Sequence, residues 1–411
     1  MPGAARVPRR RPATRPGPPA GSAQAARALT LFLCGDVMTG RGVDQILPHP
    51  GDPQLAEPSL RDARGYVALA EAASGPIPRP ASFSWIWGDA LTVLAEQAPD
   101  IRLLNLETSI TAGGEFSPGK GIHYRMSPAN TGCLTVARPD ACVLANNHVL
   151  DFGRRGLTAT LRALARAGLT AVGAGRDDDQ ARRPAPLPAG GGRVVVFACG
   201  LASAGIPPDW AAAPGRPGVD YLPGLTPAAA ADVTARIRAV RQPGDVVVVS
   251  LHWGPNWGYP VSQEEARFAR WLLDGGADLV YGHSSHHPRP IEVYHGKLIL
   301  YGCGDFIDDY EGIGGYEEYR DDLRVMYFAT VRPGTGTLAS LRLVPLQARK
   351  MRLQRAGRAD TEWLAAVLTR VSRRFGSRAE VTADGTLALR WPAGQAPPAG
   401  TDPAGAAGDA S

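Results

Sequence analysis

No run of about 18 apolar residues occurs in the 411-residue chain, so nothing in it reads as a bilayer span. Cysteine is sparse. The five thiols (Cys34, Cys133, Cys142, Cys199 and Cys303) are scattered and odd in number. That excludes a disulfide-stapled scaffold and points to buried, reduced thiols. No internal repeat and no fibrous composition are present. Residues 1–28 lack the apolar stretch that a secretory signal needs after its positive residues. Arg9-Arg10-Arg11 is followed by Pro-Ala-Thr-Arg-Pro, a poor fit to twin-arginine export. The reading is a disordered Arg/Pro-rich tail over 1–28, a second tail over 392–411, and a cytoplasmic protein.

The balance of 44% hydrophobic and 20% charged residues is ordinary for a globular protein. The length suits roughly two or three average domains, or one large α/β domain with additions. The 49 Gly and 37 Pro imply long ordered loops. Charge is unevenly spread. Residues 1–28 hold six Arg and no acid, 349–391 net +6, and 392–411 two Asp, so a total of +5 leaves 29–348 at −5. An acidic body is no nucleic-acid footprint, and no nucleic-acid partner is expected.

Short β-forming runs alternate with helical patterns. The runs are Leu29–Cys34, Ile101–Leu106, Ala141–Ala145, Arg193–Cys199, Asp245–Leu251, Asp278–Tyr281, Ile291–Tyr294 and Leu298–Tyr301. The helical patterns are Trp85–Gln97, Arg155–Ala167, Pro227–Val240 and Ser262–Gly275. The alternation predicts an α/β fold with much parallel sheet. Residues 29–348 read as one domain. Residues 349–391, with a helix near Thr361–Arg374 and strands near Glu380–Arg390, read as an α+β extension packed on it.

The polar residues sit where the strands end. Asp36 follows the first, Asn105 and Glu107 close the second, and Asn146-Asn147-His148 follow the third. His252-Trp253 and His283-Ser284-Ser285-His286-His287 follow two later strands. Parallel strands present their carboxyl ends to one crevice. A lone His or Asp after a strand is usually structural; several strands ending this way point to a metal or acid/base centre. Carboxylate, amide oxygen and neutral imidazole suit hard or borderline divalent ions.

This ordered set resembles the CapA/PgsA family of capsule and poly-γ-glutamate synthesis, whose fold is like that of calcineurin-type metallophosphoesterases. The likeness rests on Gly35–Arg41, Asn105-Leu106-Glu107, Leu144–Gly153, His252-Trp253-Gly254 and the block from Gly282-His283 to Tyr301. It spans about residues 29–310. It implies a metallophosphatase-like sandwich of two mixed β-sheets flanked by helices. It also implies one or two divalent ions (Mn, Fe, Zn or Mg), held by Asp36, Glu107, Asn147, His252, His283 and His286, with Glu107 bridging. His148, Asp36 and His286 would form the catalytic set, with His148 protonating a leaving group. Met38 stands where phosphoesterases carry His, which argues for one metal or weak double occupancy. Ser127 stands where His is expected, and Asp305 where relatives often have Asn. The likeness leaves His286 and His287 as alternatives.

Arg41, Arg125, Asn146 and Trp253 are candidate substrate contacts. For the two arginines, salt bridging within the site is the alternative reading, and for Trp253 and Trp257 plain packing is. Lys120 reads as solvated. The acids Asp308, Asp309, Glu311, Glu317 and Glu318 read as a lid or a mobile loop. Three functions follow: a metal-dependent hydrolase of phosphoester or amide bonds; a peptide epimerase moving an α-carbon proton; and a non-catalytic component of capsule polymer synthesis. The substrate is expected to be a small molecule, a peptide or a polymer.

Overall fold

The computed structural model describes residues 27–190 and 192–392; the expected tails, apart from residues 27, 28 and 392, lie outside the described residues. The principal strands in chain order are β1 (Leu29–Leu33), β2 (Asp36–Val37), β3 (Ile101–Leu106), β4 (Ala141–Val143), β5 (Thr170–Val172) and β6 (Ala185–Ala189). Next come β7 (Gly192–Leu201), β8 (Tyr221–Leu222), β9 (Val246–His252), β10 (Leu279–His283), β11 (Ile291–Tyr294) and β12 (Lys297–Leu300). The last are β13 (Asp305–Ile307), β14 (Leu323–Val331), β15 (Leu338–Ala348), β16 (Arg378–Val381) and β17 (Leu387–Arg390).

In the first sheet β5, β4, β3 and β1 run parallel. From β1 outward β14, β15, β17 and β16 are antiparallel. The strand β2 continues β1 past Gly35 and lies parallel to both β3 and β13. In the second sheet β8, β7, β9, β10 and β12 are parallel, with β11 antiparallel at one edge. Both sheets are therefore mixed.

Side-chain alternation decides how the sheets stack. Leu29, Leu31 and Leu33 share one core with Val194, Val196, Val246 and Val248, so the two sheets pack face to face. Phe32, Leu104 and Cys142 point the other way, onto α1 (Asp89–Gln97) and α2 (Gly153–Arg166) through Val93, Leu94, Leu157 and Leu161. Val195, Phe197, Val247 and Val249 pack under α3 (Pro227–Val240) and α4 (Gln263–Asp274) through Val233, Ile237, Phe268 and Leu272. The layers run helix, sheet, sheet, helix, as the fold class expected. Inner strands are buried on both faces, which is why they read as unbroken apolar runs. Each such side chain contributes about 1.5–3 kcal/mol on burial. All five cysteines are buried and unpaired.

Local chemistry fixes the helix ends. Ser262 and Glu265 form a reciprocal capping box on α4, and Thr226 caps α3 with Pro227 in its first turn. The helix expected from Trp85 starts at Asp89. Gly88 is left-handed (φ 45°), and a Cβ there would lie 2.1 Å from Leu353 O. The strand β6 is Ala-Pro-Leu-Pro-Ala, which the sequence hides. Proline donates no N–H, and β6 pairs only with β7. A C-terminal helix, α5 (Arg358–Ser372), and β17 contribute Leu364, Leu368, Leu387 and Leu389 to the inter-sheet core. No helix among the described residues is long and apolar enough to cross a membrane.

Candidate metal centre

The carboxyl ends of β1/β2, β3, β4, β9 and β10 open onto one edge of the sandwich. Pairing register sets Asp36 beside Asn105 and Asp305, and His252 beside His283. Close approach at Gly35 permits this. A Cβ there would lie 1.8 Å from Gly304 O, while Asp36 N donates to that same oxygen at 3.0 Å.

An amide chain holds the carboxylates. Asn105 Nδ2 donates to Asp36 Oδ1 at 2.7 Å and to Glu107 Oε2 at 3.1 Å. Asn146 Nδ2 donates in turn to Asn105 Oδ1 at 3.1 Å and Leu106 O at 2.9 Å. Asn146 is therefore a scaffold for the site; its amide is committed to the protein. On the second sheet, Ser250 Oγ lies 2.7 Å from His283 Nε2, the two Nδ1 atoms of His283 and His252 lie 2.8 Å apart, and His252 Nε2 lies 2.9 Å from Asn147 Oδ1. His286 Nδ1 lies 2.8 Å from Asp305 Oδ1. His148 Nδ1 lies 2.6 Å from Asp151 Oδ2, and its Nε2 stands 3.8 Å from Glu107 Oε1.

Burial sets the charge states. Asp36 is pushed up to about 7 by burial and then by the Asp305 charge, against hydrogen bonds from its neighbours. Burial and the Asp36 charge raise Glu107 well above the carboxylate range. Burial lowers His148 to about 4 despite Asp151, and His283 to about 3. Burial lowers His252 too, with the other histidines adding to it. Burial pulls His286 down, but Asp305 outweighs it and the net shift is upward.

Two groups of donor atoms, each within 4.8 Å, emerge: Asp36 with His252 and His283, and Asp36 with His286 and Asp305. The residues fit a divalent cation. Buried carboxylates repel one another here, the imidazoles of His252 and His283 are held neutral, and Asp305 Oδ2 is buried with no hydrogen-bond partner. Asp36 is common to both groups, and Glu107 joins neither; Asn105 engages one oxygen of each carboxylate. Of the two alternatives, His286 joins a donor group. His287 Nε2 instead accepts from Gly258 N at 3.0 Å.

Three candidate substrate contacts are engaged by the protein itself. Arg41 is buried in ion pairs with Glu57 and Asp309. Arg125 pairs with Asp52 at 3.2 Å and lies over the Phe152 ring. Trp253 is fully buried, its indole donating to Tyr301 O at 3.0 Å. Two acids of the supposed lid are buried: Asp309 pairs with Arg41, and Asp308 with Arg324. Met38 is buried, and Ser127 N donates to Asp44 Oδ1 at 2.9 Å.

Sequence reasoning gives no role to Asp305, Asn105, Asp151 or Lys120. Lys120 Nζ donates to Asp151 Oδ1 at 2.6 Å, so it is engaged at the site, not solvated. The strand-end signal does not cover Asp305, which opens β13 instead of closing a strand. Nothing local announces the Lys120 contact, which joins two loops.

A cavity of about 190 Å³ opens onto Glu107, Lys120, Asn147, His148, Ser284 and His286. A second, of about 270 Å³, adjoins it through Ile122, Asn256, His286 and Tyr310.

The chain is similar to several known proteins. A probable polyglutamine synthesis accessory protein of Mycobacterium tuberculosis is 53% identical over 87% of this chain and 95% of its own length. The PGA biosynthesis protein CapA of Bacillus subtilis is 29% identical, over 75% of this chain and 69% of that protein. A 5'-nucleotidase precursor of Thermus thermophilus superposes with a TM-score of 0.43 at 16% identity, covering 78% of this chain and 54% of that one. Residues 30–310 match the bacterial capsule synthesis protein family PGA_cap, and the chain belongs to that family.

Proposed function

We propose that this chain is a metal-dependent hydrolase of phosphoester or amide bonds serving capsule or polyglutamate synthesis. One observation carries the reading: three buried carboxylates and three histidines gather at one edge of the sandwich, with Asp305 Oδ2 left unpartnered among them. Asp36, His252, His283, His286 and Asp305 would hold a divalent cation, with Glu107 and Asn147 beside them. Such a cation supplies Lewis-acid polarisation and neutralises charge on the attacked centre.

The chain's own groups do the rest. Asp151 accepts Nδ1–H of His148, fixing a tautomer whose Nε2 faces the cavity as an acceptor. His148 Nε2 takes up a proton there and passes it to the departing group. Against burial, His148 and then Lys120 hold the Asp151 carboxyl below its usual value, and the Asn105–Asn146 amides keep Asp36 and Glu107 side by side. A panel of phosphoesters and amides with Mn²⁺ tests the reading. Turnover that disappears in His148→Ala, with ion uptake intact, supports it; full turnover without any metal contradicts it.

A polymer-binding role is favoured by a different feature. A groove of about 740 Å³ is lined by Arg155, Arg162 and Arg166 of α2 and by no acid. Among the described residues these three arginines form no ion pair. A labelled polyglutamate chain that binds without any turnover on the substrate panel would favour that role.

A further inference from the structure

The second cavity differs in character from the metal centre it adjoins. Its walls are Tyr66, Trp257, Tyr310, Tyr316, Ile122 and Ile313. Ile122, Ile313 and Tyr316 are three of seven large apolar side chains that are 36% or more exposed among the described residues. Leaving three at one mouth is unfavourable unless something covers them.

The basic groups on these walls are already paired, which disfavours an anion: His286 Nδ1 lies 2.8 Å from Asp305 Oδ1. The Arg41 guanidinium is neutralised by Glu57 and Asp309, and its Nη1 also donates to Tyr66 Oη at 3.1 Å. Asp321 adds a negative charge to the wall. A further cationic group is disfavoured for another reason. The Arg41 guanidinium already lies over the Tyr66 and Tyr310 rings, 3.9 and 5.7 Å from their centroids, and Trp257 and Tyr316 lie ring on ring, with centroids 3.9 Å apart and planes at 3°, so each covers one face of the other.

We propose that the substrate bears a flat apolar group that lodges in this 270 Å³ cavity, against Trp257, Tyr310 and Tyr316, while its reacting group enters the metal centre. His286 and Tyr310 line both cavities, so one molecule spans them with its reacting and apolar parts in contact. The inference rests on the metal-centre reading. It makes the group next to the reacting bond aromatic or similarly flat, and not a further charged unit of a polymer.

The test is binding of three unreactive probes to the Mn²⁺-loaded protein by calorimetry: methylphosphonate, benzylphosphonate and 2-(trimethylammonio)ethylphosphonate. The benzyl compound is expected to bind about tenfold tighter than the methyl compound or better, as burial of a ring implies. In the doubly substituted Ile313→Ser, Tyr316→Ser protein that advantage shrinks to about twofold, while methylphosphonate binding is unchanged. Both positions are exposed, so the substitutions leave the core intact. Equal binding of all three, tightest binding of the ammonium probe, or an advantage that survives the double substitution overturns the inference alone. Failure of every probe to bind overturns the metal-centre reading, and the inference with it.

Discussion

His148 Nδ1 lies 2.6 Å from Asp151 Oδ2; both side chains are buried, with His148 at the wall of the smaller cavity and Asp151 behind it. The contact fixes the ring's orientation and tautomer. Asp151→Asn is therefore expected to lower turnover by about 10- to 100-fold, the effect of losing an orienting partner. His148→Ala removes the proton carrier and costs about 10²–10⁴-fold. Both variants keep their ion affinity. Rate assays beside Mn²⁺ titrations check the pair, and a loss of ion binding in either would contradict the assignment.

His286 and His287 are adjacent in sequence but differ in role. His286→Gln removes a donor shared with Asp305 and is expected to weaken ion binding by about tenfold or more. His287→Gln leaves it unchanged, because that ring meets Gly258 N and stacks on Tyr319. Titration calorimetry on the two variants decides it.

Gly35→Ala tests the close approach that aligns the carboxylates. Its methyl group would collide with Gly304 O. The expected cost is about 1–3 kcal/mol of stability, together with weaker ion binding as Asp36 and Asp305 separate. Thermal melts and Mn²⁺ titration measure both effects.

The strand-end residues are legible in the sequence because an α/β sandwich sends them to one edge whatever its connections. Asp36, Glu107, Asn147, His148, His252, His283 and His286 all arrive there. The inner strands are legible too, being apolar on both faces. Three contact residues are not. Arg41 and Arg125 find acids distant from them in the chain, and no local pattern announces Asp309 or Asp52. Trp253 follows His252 into a buried turn, where adjacency to a site residue gives no access to the cavity. Asp305 stands out in the sequence only as a departure from relatives. Its meaning comes from the register of β13 on β2, which sequence spacing does not set.

Acidity gives a further prediction. His283 and His287 have folded values lowered to about 3 and about 4, so the unfolded chain binds protons before the folded one does. Their stabilising contribution is present above about pH 6.5 and is lost as pH falls through those values. Asp36, raised to about 7, works oppositely: its share of stability falls as pH rises from about 4 to about 7 without a cation. A divalent ion binds the ionised form and reverses that loss. The rise in Tm on adding Mn²⁺ is therefore expected to be larger at about pH 7.5 than at about pH 5.5. An equal rise at both would count against carboxylate ligands.

The most direct measurement is the ion content of gently purified protein, followed by calorimetric titration with Mn²⁺ after chelation. One or two tightly held divalent ions per chain are predicted, with His252→Gln weakening one donor group and Asp36→Asn abolishing binding at both. Protein that carries no ion and takes none up, or an Asp36→Asn variant that binds as well as the parent, would contradict the account.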